Sequence, residues 1–174
     1  MANEVHETEE MKGAAMGFVE EVWNGRHYEL IEQKIDEGYA GHWFAVGEDG
    51  PVDRDGLREF VTAVHRGFPD FHMDVEFVLA EGDMVAVGYT SGGTHQGEFM
   101  GIPPTGEYGE ATGVFVNRFE EGRVVESWAS WDALGLFQDV GVIPEAFGLT
   151  NLLGTGLSMA RRNVTERARK RRAR

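Results

Sequence analysis

The hydrophobic period of this chain changes once, at Pro69, and that change limits the folds open to it. Before Pro69 the apolar residues recur every three or four positions, the mark of amphipathic helices. Met11, Ala15, Phe18, Val22 and Trp23 share one face of a helix expected over residues 8–24, with Thr8 as its cap and Asn24-Gly25 as its stop. A second helix is expected over 28–37, carrying Leu30, Ile31 and Ile35 and ending at Gly38; an aromatic stretch, 39–44, follows it. A third begins near Asp53 and presents Leu57, Phe60, Val61, Val64 and Phe68. After Pro69 the period is two. Phe71, Met73, Val75, Phe77 and Leu79 alternate with His72, Asp74 and Glu76, as in a half-buried strand. Glu81-Gly82 and Glu121-Gly122 are turn signals, so residues 71–91 and 111–131 read as two antiparallel hairpins. A Gly/Pro-rich connection, 92–106, joins them. Helices first and strands second predict an α+β domain, with three N-terminal helices packed on one face of the sheet.

Composition excludes several functions. With no cysteine, disulfides and thiolate metal sites are absent. The six histidines form no short-spaced pair, so a zinc or iron site has weak support. The glycine-rich run from Ser91 to Gly106 is neither a dinucleotide fingerprint nor a P-loop with its lysine. No G-x-S-x-G elbow is present. No apolar run approaches the ~18 residues of a membrane span. The first ten residues lack the pattern of a secretory signal, so a cytoplasmic protein is expected.

The formal charge of −14 is unevenly spread. Residues 161–174 hold eight basic residues and one acid; the 160 before them hold eight basic residues against 29 acidic, a net of −21. Such a body repels nucleic acid, and no nucleic-acid partner is expected. We therefore divide the chain into a domain over 1–143 and an extension over 144–174, Gly/Leu-rich and then Arg-rich. The extension reads as a helical or a disordered basic tail; membrane contact is the weaker use and folding back onto the acidic body the stronger.

Residues 123–141 place chemistry at a strand–helix junction. Val124, Val125 and Trp128 are strand formers, and Leu134, Phe137 and Val140 follow at helical spacing. Strict alternation puts Glu126, Trp128, Ser130 and Asp132 on one face. Asp132 is a helix N-cap by type and position, or an acid/base group at a pocket mouth. A two-residue turn at Glu121-Gly122 would set Asn117 opposite Glu126 and Phe115 opposite Trp128, with Arg118 on the other face. The alternative register would turn Glu126 to solvent. An aromatic surface with a few polar groups suits a small apolar ligand carrying oxygens.

Three segments resemble a known family. They are Phe68-Pro69-Asp70, the run from Thr94 to Gly106 (THQGEFMGIPPTG), and Asn117-Arg118-Phe119 followed by Glu126-x-Trp128-x-x-x-Asp132-x-x-Gly135-Leu136. Together they are similar to the SnoaL-like polyketide cyclases (ester cyclases), over roughly residues 8–143. The resemblance implies the nuclear-transport-factor-2-like cone, a curved sheet wrapped on helices around an apolar pocket, and a homodimer packed sheet to sheet. It implies a cofactor-independent aldol closure of a polyketide-like ester, with Asp132 as acid/base. His95 and His42 also match family positions, as groups that contact substrate oxygens or brace loops. Trp23, Phe68 and Trp128 are pocket-wall candidates, beside Phe115, Asn117 and Glu126. Glu126, Arg118 and Asp132 also imitate the carboxylate–arginine set of epoxide hydrolysis, although strand parity argues against it. The competing reading is a non-catalytic module that binds a small molecule in the same cone.

Only Lys12, Lys34 and Lys170 are lysines; an acidic, lysine-poor body fits a salt-rich, halophilic setting in which counter-ions screen self-repulsion, and equally an ordinary acidic protein whose charge serves solubility. Thermal melting should accordingly rise from low to multimolar potassium chloride. A melting temperature that does not change with salt would remove the salt-adaptation reading.

Overall fold

Helix α1 (Ala2–Phe18) runs without a break into a π-helical segment, Val19–Asn24. Such segments are rare and widen the helix locally. Here the segment buries Val19 and Val22 completely and carries Trp23. A 3₁₀ turn (Tyr28–Leu30) and a single helical turn, α2 (Ile31–Lys34), come next. The helix expected to reach residue 37 therefore stops at Lys34. Ile35 is already extended and opens strand β1 (Ile35–Trp43). The β-branched and aromatic content of Ile35, Tyr39 and Trp43 fits a pleated surface better than a helix. Helix α3 (Arg54–Gly67) begins where expected, and the Asp53 carboxylate accepts the Gly56 N–H at 2.8 Å. The remaining elements are β2 (His72–Glu81), β3 (Met84–Thr94), β4 (Tyr108–Glu120), β5 (Arg123–Trp131) and α4 (Ala133–Asp139). The computed structural model describes residues 2–43 and 50–144, with side chains from residue 6 onward. Phe44 and the Gly/Leu and Arg-rich extension, for which a tail was expected, lie outside the described residues.

The five strands form one sheet in the order β1-β5-β4-β3-β2. β1 lies parallel to β5 and all other pairs are antiparallel, so the sheet is mixed rather than antiparallel throughout. The β4–β5 turn has both central residues in the left-handed region, Glu121 at φ 48° and Gly122 at 79°, the backbone of the tightest hairpins. The helices cover the inner face, and Phe18, Ile31, Val61, Val85 and Val87 meet there as a buried core.

Two bulges decide which side chains reach that core. In β2 the pairing steps from Val75↔Tyr89 to Phe77↔Gly88, leaving Glu76 unpaired. In β5 it steps from Phe119↔Val124 to Arg118↔Glu126, leaving Val125 unpaired. One extra residue reverses every side chain beyond it. Phe77 and Leu79, expected inside, are thereby turned outward and stand 47% and 63% exposed. The Phe77 ring lies over Gly88, 2.2 Å from where a Cβ would stand, so a side chain there would push the exposed ring aside.

His65, on α3, is buried and fastens the helix to the π segment. Its Nε2–H donates to the Trp23 carbonyl at 2.8 Å, and Tyr28 donates its hydroxyl to Nδ1 at 2.9 Å. Burial lowers its pKa from 6.5, since the charged ring would lose hydration and the Tyr28 donor. The unfolded chain therefore takes up this proton first, and the stability present above pH 6.5 is lost as pH falls toward the folded value. Melting temperature should drop as pH falls below 6.5, and His65→Leu should flatten that slope while lowering stability by about 2 kcal/mol.

Candidate functional site

The inner face of the sheet and the helices above it enclose two adjoining apolar cavities. The outer one, of about 60 Å³, lies among Phe68, Phe99, Ala111 and Leu136, with the backbone of Gly92 and Gly93 as part of its wall. The inner one, of about 80 Å³, lies among Ile35, Tyr39, Phe115, Asn117, Ser127 and Ala129. On a scale where one water takes about 10–15 Å³, each holds several atoms of a ligand. Trp23, Phe60, Met73, Tyr89 and Trp131 line both and stand between them. Aromatic contacts fix this partition: Trp23 meets Phe71 at 5.7 Å and Phe60 at 6.3 Å, and Phe60 meets Trp43 at 4.8 Å.

The polar lining is uncharged. Tyr39 and Ser127 are hydrogen-bonded through their hydroxyls, and burial raises the Tyr39 pKa above 10.0. Tyr89 is pushed up to about 12 by burial alone, so its hydroxyl stays protonated across the physiological range. Ser91 donates to the Ala111 carbonyl at 3.3 Å. Asn117 is 7% exposed and lies beside Ser127 in the register. Among the described residues, no carboxylate or imidazole lines either cavity.

Of the residues expected at the site, the structure brings Trp23, Phe68, Phe115 and Asn117 to the cavities. It sends others elsewhere. The bulge at Val125 pairs Asn117 with Ser127 and Phe115 with Ala129, in place of Glu126 and Trp128. Glu126 and Trp128 consequently face outward. There Glu126 joins His42 at 2.9 Å and Arg118 at 3.1 Å, while His42 stacks on Trp128 at 5.5 Å. The His42 hydrogen bond, then the Arg118 pair, hold the Glu126 carboxyl below its ordinary value. Arg118 thus shares a face with Glu126, contrary to the parity expected, and that face is the outer one. The hydrolase-like grouping is not assembled in the chamber.

Asp132 caps α4: its Oδ1 accepts the Gly135 N–H at 2.8 Å. The carboxylate is exposed and lines a shallow groove on the outer face with Thr90, Thr112 and Ser130. Its expected place at the pocket is corrected for the same reason as Glu126 and Trp128, because all three share one parity. His95 is 1% exposed and stacks on Phe68 at 5.2 Å, one layer behind the wall. Its Nδ1 lies 3.3 Å from the Thr105 hydroxyl. It braces a loop rather than lining a cavity.

That bracing explains two of the sequence segments. The Asp70 carboxylate accepts both the N–H and the hydroxyl of Thr94 at 2.7 Å, which lowers its pKa. The Gly67 carbonyl accepts the N–H groups of Gln96 and Gly97 at 2.8 and 2.9 Å. Gly97 lies so close to the Arg66 carbonyl that a Cβ would stand 2.1 Å from it. Residues missed by sequence reasoning are Tyr39, Ser127, Tyr89, Phe60 and Trp131. Tyr89 and Ser91 follow the same alternation as Val85 and Val87, a signal present in the sequence; Ser127 and Trp131 become inner only through the bulge.

The SnoaL-like polyketide cyclase family model matches residues 13–140. The chain belongs to this family. Among solved structures, IdmH of Streptomyces antibioticus, a proposed polyketide cyclase, is 30% identical; the match covers 76% of this chain and 99% of that one, with a TM-score of 0.68. AclR of Streptomyces galilaeus, a proposed hydroxylase, is 27% identical over 91% and 98% of the two chains, with a TM-score of 0.72. A proposed polyketide cyclase of Acidithiobacillus ferrooxidans is 28% identical over 75% and 94%, with a TM-score of 0.67. No curated protein matches. The cone is therefore that of the family, and its members point to cyclase-type chemistry on a small molecule. Among the described residues no helix is long and apolar enough to cross a membrane.

Proposed function

We propose that the chain is a cyclase-type enzyme that encloses a small, largely apolar carbonyl compound in the cone, without a resident cofactor. The observation that carries this reading is the pair of adjoining apolar cavities whose polar lining consists of uncharged donors, Asn117, Tyr89 and the Tyr39–Ser127 pair. Such groups stabilise negative charge as it develops on a carbonyl oxygen, and in a dry site they act without reorganising. Ring closure is then promoted by folding the substrate against the aromatic partition, which brings its reacting carbons together. The likeness to one proposed cyclase and one proposed hydroxylase fits a shared chamber with differing chemistry.

One observation favours a second reading, a non-catalytic binding module: the lining offers no group that titrates near neutrality to move protons. Mass spectrometry separates the two. Material that co-purifies, or an aromatic polyketide ester supplied to the protein, should be converted to a ring-closed product; recovery of unchanged ligand after long incubation would favour the binding module. Under the enzyme reading Asn117→Leu should lower turnover about 100-fold, as for loss of one oxyanion donor. Asp132→Asn should keep turnover within a few-fold and leave stability nearly unchanged, because an asparagine oxygen caps a helix about as well as an aspartate one. Loss of turnover in Asp132→Asn with the fold intact would restore the aspartate as the acid/base group.

A second copy of the chain covers the outer sheet face in this proposal. Phe77, Leu79 and Val114 are 47%, 63% and 39% exposed there, an apolar strip that a monomer leaves in water. Leu79→Glu should shift sedimentation equilibrium from dimer to monomer; a wild-type monomer at all concentrations would remove this assembly.

A further inference from the structure

Three polar side chains of the inner cavity are linked in series, and what each can donate or accept sets the direction of the series. Across the inner face of the sheet, Gly41, Ser127 and Asn117 stand side by side on β1, β5 and β4. Tyr39 and Trp43 flank Gly41 two residues away on either side, and strand alternation puts all three on one face. Because Gly41 has no side chain, the two rings lean together over it. The Tyr39 hydroxyl and the Trp43 indole nitrogen lie 2.7 and 2.8 Å from the point where a Cβ would stand. There the phenol oxygen is hydrogen-bonded by the indole and also by Ser127. Tyr39 and Ser127 are each 5% exposed, and Tyr39, Trp43, Ser127 and Asn117 all line the inner cavity.

An indole N–H donates and cannot accept, so Trp43 gives its hydrogen to the Tyr39 oxygen. Of the two partners of the phenol, only the Ser127 oxygen can then accept the phenol's own hydrogen. The Ser127 hydrogen is left as the free end of the series, and among the described residues it meets no second acceptor. Each bond in such a series polarises the next hydroxyl and makes it a stronger donor. Asn117 faces Ser127 across the β4–β5 pair. Side chains paired in this way have Cβ atoms about 4.5–5.5 Å apart, close enough for both to reach one ligand oxygen.

From this geometry we infer that Ser127 is the catalytic donor of the chamber, meeting the ligand's carbonyl oxygen together with the Asn117 amide, and that Tyr39, Gly41 and Trp43 are its positioning residues. This rests on the proposed binding of a carbonyl compound and adds where its oxygen sits, on the β4–β5 floor of the inner cavity. Negative charge that grows on that oxygen meets dipoles already oriented toward it. Serine and phenol keep their hydrogens throughout and only share them, so this stabilisation needs no titrating group.

Acetophenone labelled with carbon-13 at its carbonyl tests the assignment on the full chain. Binding is read from quenching of Trp23, Trp43 and Trp131, which line the inner cavity. Donation is read from the C=O stretch, which falls in frequency when the oxygen accepts a hydrogen bond. The ketone bound to the wild-type protein should absorb below its frequency in alkane. Ser127→Ala should return most of that shift and weaken binding about three- to tenfold. Ser127→Cys fills the same space with a weak donor and should return nearly as much, which separates lost donation from lost volume. Trp43→Phe and Gly41→Ala leave Ser127 in place, yet each should return part of the shift, the second by driving the indole and phenol apart. An unchanged stretch in Ser127→Ala and Ser127→Cys, with the ketone still bound, would overturn the role of Ser127 and leave the carbonyl-binding proposal standing. A shift lost in those two variants but untouched in Trp43→Phe and Gly41→Ala would overturn the positioning series. A wild-type protein that binds no ketone would overturn both this inference and the proposal beneath it.

Discussion

The sorting of side chains between the two faces of the sheet rests on a pair of one-residue slips. A strand carries its side chains alternately, so its chemistry is fixed once its register is fixed. The extra residues Glu76 and Val125 reset that register partway along two strands. Past Val125 the carboxylates Glu126 and Asp132 go outward, and Ser127, Ala129 and Trp131 come inward. Past Glu76 an apolar pair, Phe77 and Leu79, leaves the core for the surface. The neutral lining of the chamber and the charged, partly apolar outer face have the same origin.

That arrangement separates two kinds of electrostatics. The outer face carries a polar chain, a hydrogen bond from His42 to Glu126 and ion pairs from Arg118 to Glu126 and Glu120, each partly in water and each worth little alone. Inside, the groups are dipoles without net charge, and burial makes the phenols weaker acids still. A net charge inside would demand a counter-charge or a shifted pKa. Dipoles can stay buried at lower cost, provided they find partners.

The broad fold was legible in the residues. The change of period at Pro69, the turn at Glu121-Gly122 and the Asp53 and Asp132 caps all stand where sequence reasoning expects them. The errors have local causes. Ile35–Glu37 reads as a helix end because Leu30, Ile31 and Ile35 keep helical spacing, and the aromatic stretch after it carries no strand period; only pairing with β5 makes Ile35–Trp43 a strand. The bulges have no glycine or proline to announce them, so strict alternation misplaced Trp128, Glu126 and Asp132. Trp23, Phe68, Phe115 and Asn117 were found because two of them lie on helical faces and two precede the slip. Tyr39 lay in a stretch read as aromatic, without a partner to suggest its hydroxyl bond to Ser127.

The His95 N–H to the Glu107 carbonyl and the Gly106 N–H to the His95 carbonyl, both at 2.9 Å, join the ends of the 95–107 connection, and the Asp70–Thr94 clasp with the Gly67 carbonyl anchors its first residues. Once the ends are held, the entropy of the segment depends only weakly on its length, about 0.6 kcal/mol for each doubling. The connection beside the outer cavity therefore behaves as a replaceable cassette. Its tip, where Met100 and Gly101 take left-handed backbone, is where a change of length would disturb the strands least. Diversification of this scaffold would proceed most cheaply at that rim, with the strand registers left untouched.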